Sequence, residues 1–180
     1  MPRQRRNGYT LLEMVAVLAV LVILGAIIAP SLAGFYGNTK QKAAADIFRT
    51  RLAEGRAKAM ERGTPYRVAV HSDQTRIRVG PDTENFGTGT AEDPPSYGSV
   101  VTEDTLDEAT IELQLEEGDE RPSDGSEWST VATLRPDGSS KEARSCTVTI
   151  KQSTFAPIVI QVRGLTGQAR NVPQTPGGQQ

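Results

Sequence analysis

A single carboxylate stands at the head of a long uncharged stretch near the N-terminus. Glu13 is followed by twenty residues, Met14 to Ala33, that carry no charge. Placing an acidic side chain in a bilayer costs on the order of a few kcal/mol even when the side chain snorkels, so such a residue indicates a functional site with a partner. Charge pairing is the chemistry it offers. The competing interpretation is a boundary residue that reaches the headgroups.

The uncharged stretch has the length of a membrane span. As a helix it would be about 30 Å long, which matches the hydrocarbon core of a bilayer. Arg3, Arg5 and Arg6 precede it and predict a cytoplasmic N-terminus, with the bulk of the chain outside. A secretory signal fits poorly, because its apolar region is shorter and its cleavage site follows that region. Cleavage after Ala33 remains open as an alternative.

Few residues suggest catalysis or metal binding. His71 is the only histidine, and its neighbours Ser72 and Asp73 lie with it in a predicted turn between strands, which does not by itself make a triad. Cys146 is the only cysteine, which excludes an intramolecular disulfide and favours a small buried residue. We predict no enzymatic activity, no cofactor and no metal site.

The segment from Glu116 to Glu127 is acidic, and calcium is the ligand that it could bind. Its carboxylates do not follow the spacing of a recognised calcium loop, so we interpret the segment as a solvated surface loop and leave calcium binding open. These carboxylates are Glu116, Glu117, Asp119, Glu120 and Asp124.

The charge balance argues against broad capture of anionic partners. Lys and Arg total 20 against 22 Asp and Glu, and removal of the first eight residues would leave 17 against 22, a net charge of −5. An acidic surface of this kind disfavours nucleic acid and anionic lipid, although a local basic patch remains compatible with it.

The helix is predicted to continue beyond the apolar stretch. Between Ala33 and Arg62 small and apolar residues recur near the 3.6-residue period among charged ones, which predicts an amphipathic half that packs on a head. Gly63 and Pro65 are predicted to end it. The predicted buried stripe consists of Ala44, Phe48, Leu52, Gly55 and Ala59.

The rest of the chain has the alternation of β-strands, which we expect to pair mostly as sequential antiparallel hairpins. Pro136-Asp137-Gly138 and Gly164 to Gly167 predict turns. Pro81 to Ser99 is predicted to be a surface loop. The predicted strands are Tyr66 to Val70, Arg76 to Val79, Thr110 to Leu115, Val131 to Leu134, Cys146 to Ile150, Ile158 to Val162 and Gln168 to Val172.

The N-terminal residues resemble the class III leader of type IV pilins and type II secretion pseudopilins. The resemblance rests on a short basic leader, then Gly8, then Tyr9 where the family usually has Phe, then Thr-Leu-Leu-Glu and the apolar helix. It implies that a prepilin peptidase cuts between Gly8 and Tyr9 and that the new N-terminus of Tyr9 is methylated.

The same resemblance supplies a partner for Glu13. In an assembled filament the carboxylate would pair with the α-amino group of Tyr9 of a neighbouring subunit, which fixes register more than stability because desolvation offsets much of the Coulomb gain. It also implies that Gly25 and Pro30 interrupt or loosen the helix, since proline removes an intrahelical hydrogen bond.

The head resembles that of the minor pseudopilins and minor pilins of the GspH and FimT type. The matching segments are Arg56 to Arg62, Leu134 to Gly138, Ile158 to Ile160 and Gly164 to Gly167. The fold class is therefore expected to be α+β and pilin-like. A long N-terminal helix, transmembrane in its first half and amphipathic in its second, packs on a mainly antiparallel, β-sandwich-like head.

The expected organisation follows from these assignments. Residues 1–8 form a cleaved leader, 9–33 a transmembrane and assembly helix, 34–63 an amphipathic helix, 64–172 the β-rich head and 173–180 a disordered tail. The protein would span the inner membrane once, with a periplasmic or extracytoplasmic head, and enter a filament after assembly.

Two functions remain. The first is a minor pseudopilin at or near the tip of a type II secretion pseudopilus, in contact with other pseudopilins or pilins and with secreted cargo. The second is a FimT-like minor pilin that binds DNA for uptake. Its candidate DNA contacts are Arg163 and Arg170, with Lys141, Arg144 and Lys151 upstream.

Overall fold

A computed structural model describes residues 11–88, 100–119, 121, 127–152 and 155–173 of the 180-residue chain. The backbone of the first helix is described throughout, and its side chains except for residues 29–37. The chain forms two compact units, one up to Gly37 and one from Asn38 onward.

Helix α1 spans Leu11–Arg62 and contributes to both units. It ends where the sequence predicts. Gly63 adopts a left-handed φ of 66°, and its N–H donates to the carbonyl of Ala59 at 3.0 Å, which is the hydrogen bond of a glycine C-cap. Pro65 then starts the extended chain of the first strand.

The second unit contains two four-stranded antiparallel sheets. The first has the order β3-β2-β1-β5 and the second the order β4-β6-β7-β8. The strands are β1 Tyr66–His71, β2 Arg76–Pro81, β3 Thr102–Thr105, β4 Thr110–Leu115, β5 Trp128–Leu134, β6 Cys146–Gln152, β7 Phe155–Val162 and β8 Ala169–Val172.

The predicted strands all exist, and the predicted antiparallel α+β class is confirmed. The expectation that sequential strands pair is only partly right. Hairpins join β1 to β2, β2 to β3, β6 to β7 and β7 to β8, whereas β1 also pairs with β5 and β4 with β6. Strand β3 was not predicted, because its Thr-Glu-Asp-Thr sequence carries no apolar alternation and it lies at a sheet edge.

One continuous core joins the second half of α1 to both sheets. Every residue of the predicted helix stripe is buried, which confirms the interpretation of that stripe as core packing. At Gly55 the helix approaches the first sheet closely. A Cβ there would lie 3.0 Å from a methyl group of Val68 and 3.2 Å from one of Leu134.

Gln41 is a polar member of this helix face, 2% exposed. Its Nε2 donates to the carbonyls of Ile150 and Ala156, both at 3.0 Å. These carbonyls flank an irregularity in the pairing of β6 with β7, between Ile150 and Gln152. Because buried carbonyls need partners, the amide ties α1 to the sheet where its own ladder is disrupted.

We predict that Gln41→Leu lowers the free energy of unfolding of the head by about 1–3 kcal/mol, because the buried carbonyl of Ile150 and the partly buried carbonyl of Ala156 lose their donor while the side-chain volume is nearly kept. Denaturant titration of the full-length chain in detergent, followed by the fluorescence of its only tryptophan, Trp128, measures this. Lys42→Leu, at the exposed neighbouring position, is the matched control. Equal stabilities of the two variants would contradict this role of Gln41.

Candidate functional site

The first half of α1 presents an apolar surface that the folded chain does not cover. The window Leu11–Ile28 has a mean hydropathy of 2.9, and none of it is buried within the chain. By length and composition it is able to cross a membrane. Glu13 lies exposed in its first turn. Lipid tails and the helices of other subunits are the surroundings that fit such a surface.

Gly8 and Tyr9 lie outside the described residues, so the cleavage and methylation positions stay predictions. The predicted helix breaks are corrected, since α1 is helical through both Gly25 and Pro30. A helix accommodates one proline when the freed carbonyl finds another partner, and glycine imposes no steric break. A Cβ at Gly25 would have no protein atom within 4 Å. Loosening at these positions within a filament stays a prediction.

The turn between β1 and β2 forms where the sequence predicts it, and charged side chains cluster there around His71. The imidazole is 8% exposed, its Nδ1 lies 2.9 Å from the Asp73 carboxylate, and its Nε2 lies 3.0 Å from that of Glu127. Both ring nitrogens therefore face carboxylates. Asp73 also accepts from the Arg76 guanidinium at 2.7 Å. This is an ion-pair network closing a turn, with Ser72 bonded through its backbone to the carbonyl of Glu127.

The environment of Asp73 shifts its titration. Burial alone would raise the pKa of Asp73, but the hydrogen bonds from Thr75 and Arg76 outweigh it and hold that pKa well below its usual range. The carboxylate is thus charged in the folded protein at any pH where the head is expected to work.

A layer of arginine and aromatic side chains on the first sheet was not predicted from the sequence. The Arg78 guanidinium lies 4.3 Å from the Trp128 ring centroid, and that of Arg67 lies 4.8 Å from the Phe86 ring centroid. Trp128 and Phe86 meet edge to face at 6.5 Å. The spacing of Arg76 and Arg78, two residues apart in one strand, is the sequence feature that could have indicated this layer. Because these cations are neutralised by Asp82 and Glu103, the layer is a second small core.

The basic residues proposed for DNA divide into two groups. Lys141 faces Asp82 at 3.7 Å, Lys151 pairs with Glu112, and Arg144 donates to the carbonyl of Glu117. Arg163 and Arg170 are exposed, and neither forms a salt bridge within the part of the chain that the structure describes. Of the five candidate bases, these two have no side-chain hydrogen bond or salt bridge among the described residues, whereas Arg144 bonds a carbonyl that leaves its charge unneutralised.

Three of the segments that carry the resemblance in the head meet at one place, which we call the helix-end corner. It consists of Arg56 and Met60 on α1, the turn Pro136–Ser139 and the turn Gly164–Gly167. The Arg56 Nη2 donates to the carbonyl of Thr166 at 2.5 Å. A Cβ at Gly138 would lie 3.6 Å from the Met60 sulfur.

The two turns of the corner form as predicted. Gly138 N donates to the carbonyl of Arg135 at 2.9 Å across the Pro-Asp pair. Hydrogen bonds from Ser139 lower the pKa of Asp137. In the second turn, Gly167 N donates to the carbonyl of Arg163 at 2.8 Å.

The acidic loop is described only in part, and the cysteine is buried. Among the residues that the structure describes there is no group of three or more potential metal ligands, and residues 120 and 122–126 of the loop lie outside them. Asp119 pairs with Arg121 at 2.9 Å. Cys146 is buried as expected, and burial raises the pKa of its thiol to about 11, so it is not a thiolate nucleophile near neutral pH.

Comparison with known proteins bears on the exposed helix and on the head separately. Residues 3–29 match the family described as the prokaryotic N-terminal methylation motif. The chain is similar to the crystal structure of the type IV minor pilin FimU of Pseudomonas aeruginosa, with a TM-score of 0.51 and 15% identity, over 77% of this chain and 92% of that one. The chain therefore has an N-terminal methylation motif and a type IV pilin-like α+β fold.

Another similar structure is the minor pseudopilin EpsH of the type II secretion system of Vibrio cholerae, with a TM-score of 0.47 and 18% identity, over 77% of this chain and 98% of that one. No curated protein sequence matches the chain at a significant level. The motif covers the leader and the exposed helix, whereas the structural likeness concerns the fold alone.

The His71 cluster yields a pH prediction. Because the folded protein holds the pKa of Asp73 below the usual value of 3.8, the contribution of its charge to stability is present above that value and is lost as the pH falls below it. We expect Asp73→Asn to be less stable than the wild type at pH 6, with the difference shrinking from pH 4 to pH 2. Denaturant titrations at each pH measure it. Asp107→Asn, an exposed aspartate outside the cluster, is the control, and a difference that persists unchanged at pH 2 would contradict the ion-pair account.

Proposed function

We propose that this chain is a minor pseudopilin, a structural subunit at or near the tip of a type II secretion pseudopilus. A prepilin peptidase cuts it between Gly8 and Tyr9 and methylates Tyr9. The apolar half of α1 holds it in the inner membrane and then packs among the helices of other pseudopilins. The periplasmic or extracytoplasmic head contacts other minor subunits or secreted cargo.

One observation supports this proposal above the others. The apolar window Leu11–Ile28 has no cover within the chain, yet it carries the methylation motif and belongs to the same helix as the buried stripe of the head. An ordinary anchor needs only the apolar window. The acidic Glu13 within that window has a reason if another subunit supplies a cation to it.

DNA uptake is the second candidate function, in the manner of a FimT-like minor pilin. Arg163 and Arg170 favour it, because both are exposed and carry no described salt bridge. Against it, the other three candidate bases are engaged, and two phosphate contacts give weak, strongly salt-dependent binding. Nanomolar binding of a 30-base-pair duplex by the full-length chain in detergent at 150 mM salt would favour this second function.

The processing site is the first prediction of the proposed function. In a host that has the peptidase, the N-terminal peptide recovered from membranes is expected to begin with N-methylated Tyr9, as mass spectrometry would show. Gly8→Leu should leave the uncut precursor, because the peptidase must approach the backbone closely there. A mature chain beginning at Met1 or Pro2 would indicate an ordinary anchored domain, and one beginning after Ala33 a secreted protein.

The assembly charge gives a second prediction. Glu13→Val should insert into the membrane at least as well as the wild type, since it removes a charge from the apolar segment, but it should enter filaments at least about tenfold less because its partner amine is left unpaired. Quantitative immunoblotting of sheared filaments against total membranes measures both. Val15→Leu, an apolar exchange one half-turn away, is the matched control. Wild-type incorporation of Glu13→Val would remove the charge-pairing account.

A further inference from the structure

Leu165 is an unusual residue for its position. Its φ is 61°, in the left-handed region that any residue with a Cβ adopts at a cost, and its side chain is 63% exposed. Glycine adopts this conformation freely, and Gly164 and Gly167 stand on either side. A large apolar side chain thus stands at a position where the backbone conformation favours glycine and where it packs into no core of the chain.

The backbone around Leu165 is held in place from outside the turn. Its N–H donates to the carbonyl of Glu142 at 2.6 Å, and its carbonyl accepts from Ser140 N at 2.7 Å. A Cβ at Gly164 would lie 2.4 Å from the carbonyl oxygen of Ala143, so the turn cannot shift without breaking this packing. The positive φ is therefore imposed by the scaffold, and the leucine side chain needs a separate explanation.

The surroundings of Leu165 resemble the centre of a protein interface. Met60, 57% exposed, lies one helical turn after Arg56, which itself reaches the carbonyl of Thr166. Beside this turn is a groove of 270 Å³ between α1 and the β7–β8 hairpin. Aliphatic side chains and two guanidiniums surround it, and the residues are Arg49, Leu52, Ala53, Arg56, Gly167, Gln168 and Ala169.

The charge of the corner differs from that of the rest of the molecule. The chain has a net charge of −2, yet Arg163 immediately before the turn and Arg170 after it make no described salt bridge. The Arg56 Nε is buried without a hydrogen-bond partner among the described residues. Such a cationic rim around exposed aliphatic side chains is complementary to an acidic surface with an apolar pocket.

We propose that the helix-end corner docks an acidic segment of another protein subunit, with Leu165 as the apolar anchor and Arg56 and Arg163 facing carboxylates. The inference rests on the proposed function, for which it specifies the contact surface of the head. A DNA duplex fits less well, because its affinity comes from phosphate contacts, and the exposed Leu165 and Met60 offer aliphatic surface where a duplex would need cations.

Leu165→Gly tests the proposal without the usual ambiguity of an interface mutation. Glycine relieves the left-handed strain, so the denaturation midpoint of the head should rise or stay unchanged, while incorporation into sheared filaments in the native host should fall at least about tenfold. The full-length chain is used throughout. Gln74→Gly is the matched control, because Gln74 has a φ of 62° and an exposed side chain outside the corner. Its denaturation midpoint should likewise rise or stay unchanged, and it should keep wild-type incorporation.

Three results would overturn the proposal. The first is wild-type incorporation of Leu165→Gly. The second is a lower denaturation midpoint for that variant, which would make Leu165 a structural residue. The third combines two measurements. If Leu165→Gly and Arg163→Gln both enter filaments at the wild-type level, and Arg163→Gln loses binding to a 30-base-pair duplex, then the corner is a nucleic-acid surface. Failure of the proposed function itself is separate, since then even the wild-type chain would be missing from filaments.

Discussion

The uncovered apolar half of α1 is the constraint on which the rest of the structure depends. At about 25 cal/mol per Å² of apolar surface, it is strongly unfavourable to expose to water the residues of this eighteen-residue window, of which only Glu13 is charged. Lipid or neighbouring helices must cover them. The described core of the head contains no residue of this apolar half, so the head is stabilised independently of whatever covers that half.

The second half of α1 shows how one helix meets this demand. Unlike the first half, it is apolar on one buried stripe only. On this face Gln41 hydrogen-bonds the second sheet and Gly55 lies close against the first. Gly55 lets the helix approach the first sheet closely, and Gln41 binds carbonyls beside the irregular pairing of the two inner strands of the second, β6 and β7. The head then needs no disulfide to hold helix and sheets together, and its only cysteine remains a neutral, buried thiol.

Local patterns made much of this predictable. The stripe, the glycine cap and both turns depend on residues close in sequence, so periodicity and turn chemistry identify them. Strand β3 could not be found, because its pairing with β2 is decided by backbone partners and not by buried side chains. The β1–β5 and β4–β6 pairings were missed for a related reason, since they join segments far apart along the chain. The carbonyl partners of Gln41 and the arginine and aromatic layer likewise arise only in three dimensions.

These constraints leave most of the surface free, and function is therefore expected to differ between pilin-like proteins at the surface. At 15% identity to FimU, agreement in fold requires only an apolar helix, a buried stripe, two sheets and a few obligate turns. A residue fixed by none of these requirements needs another explanation. Gln74 and Glu108 share the left-handed conformation of Leu165, but they are polar and exposed, and water solvates them. Of these three side chains, that of Leu165 is the one that water solvates unfavourably. This contrast indicates that another protein covers Leu165.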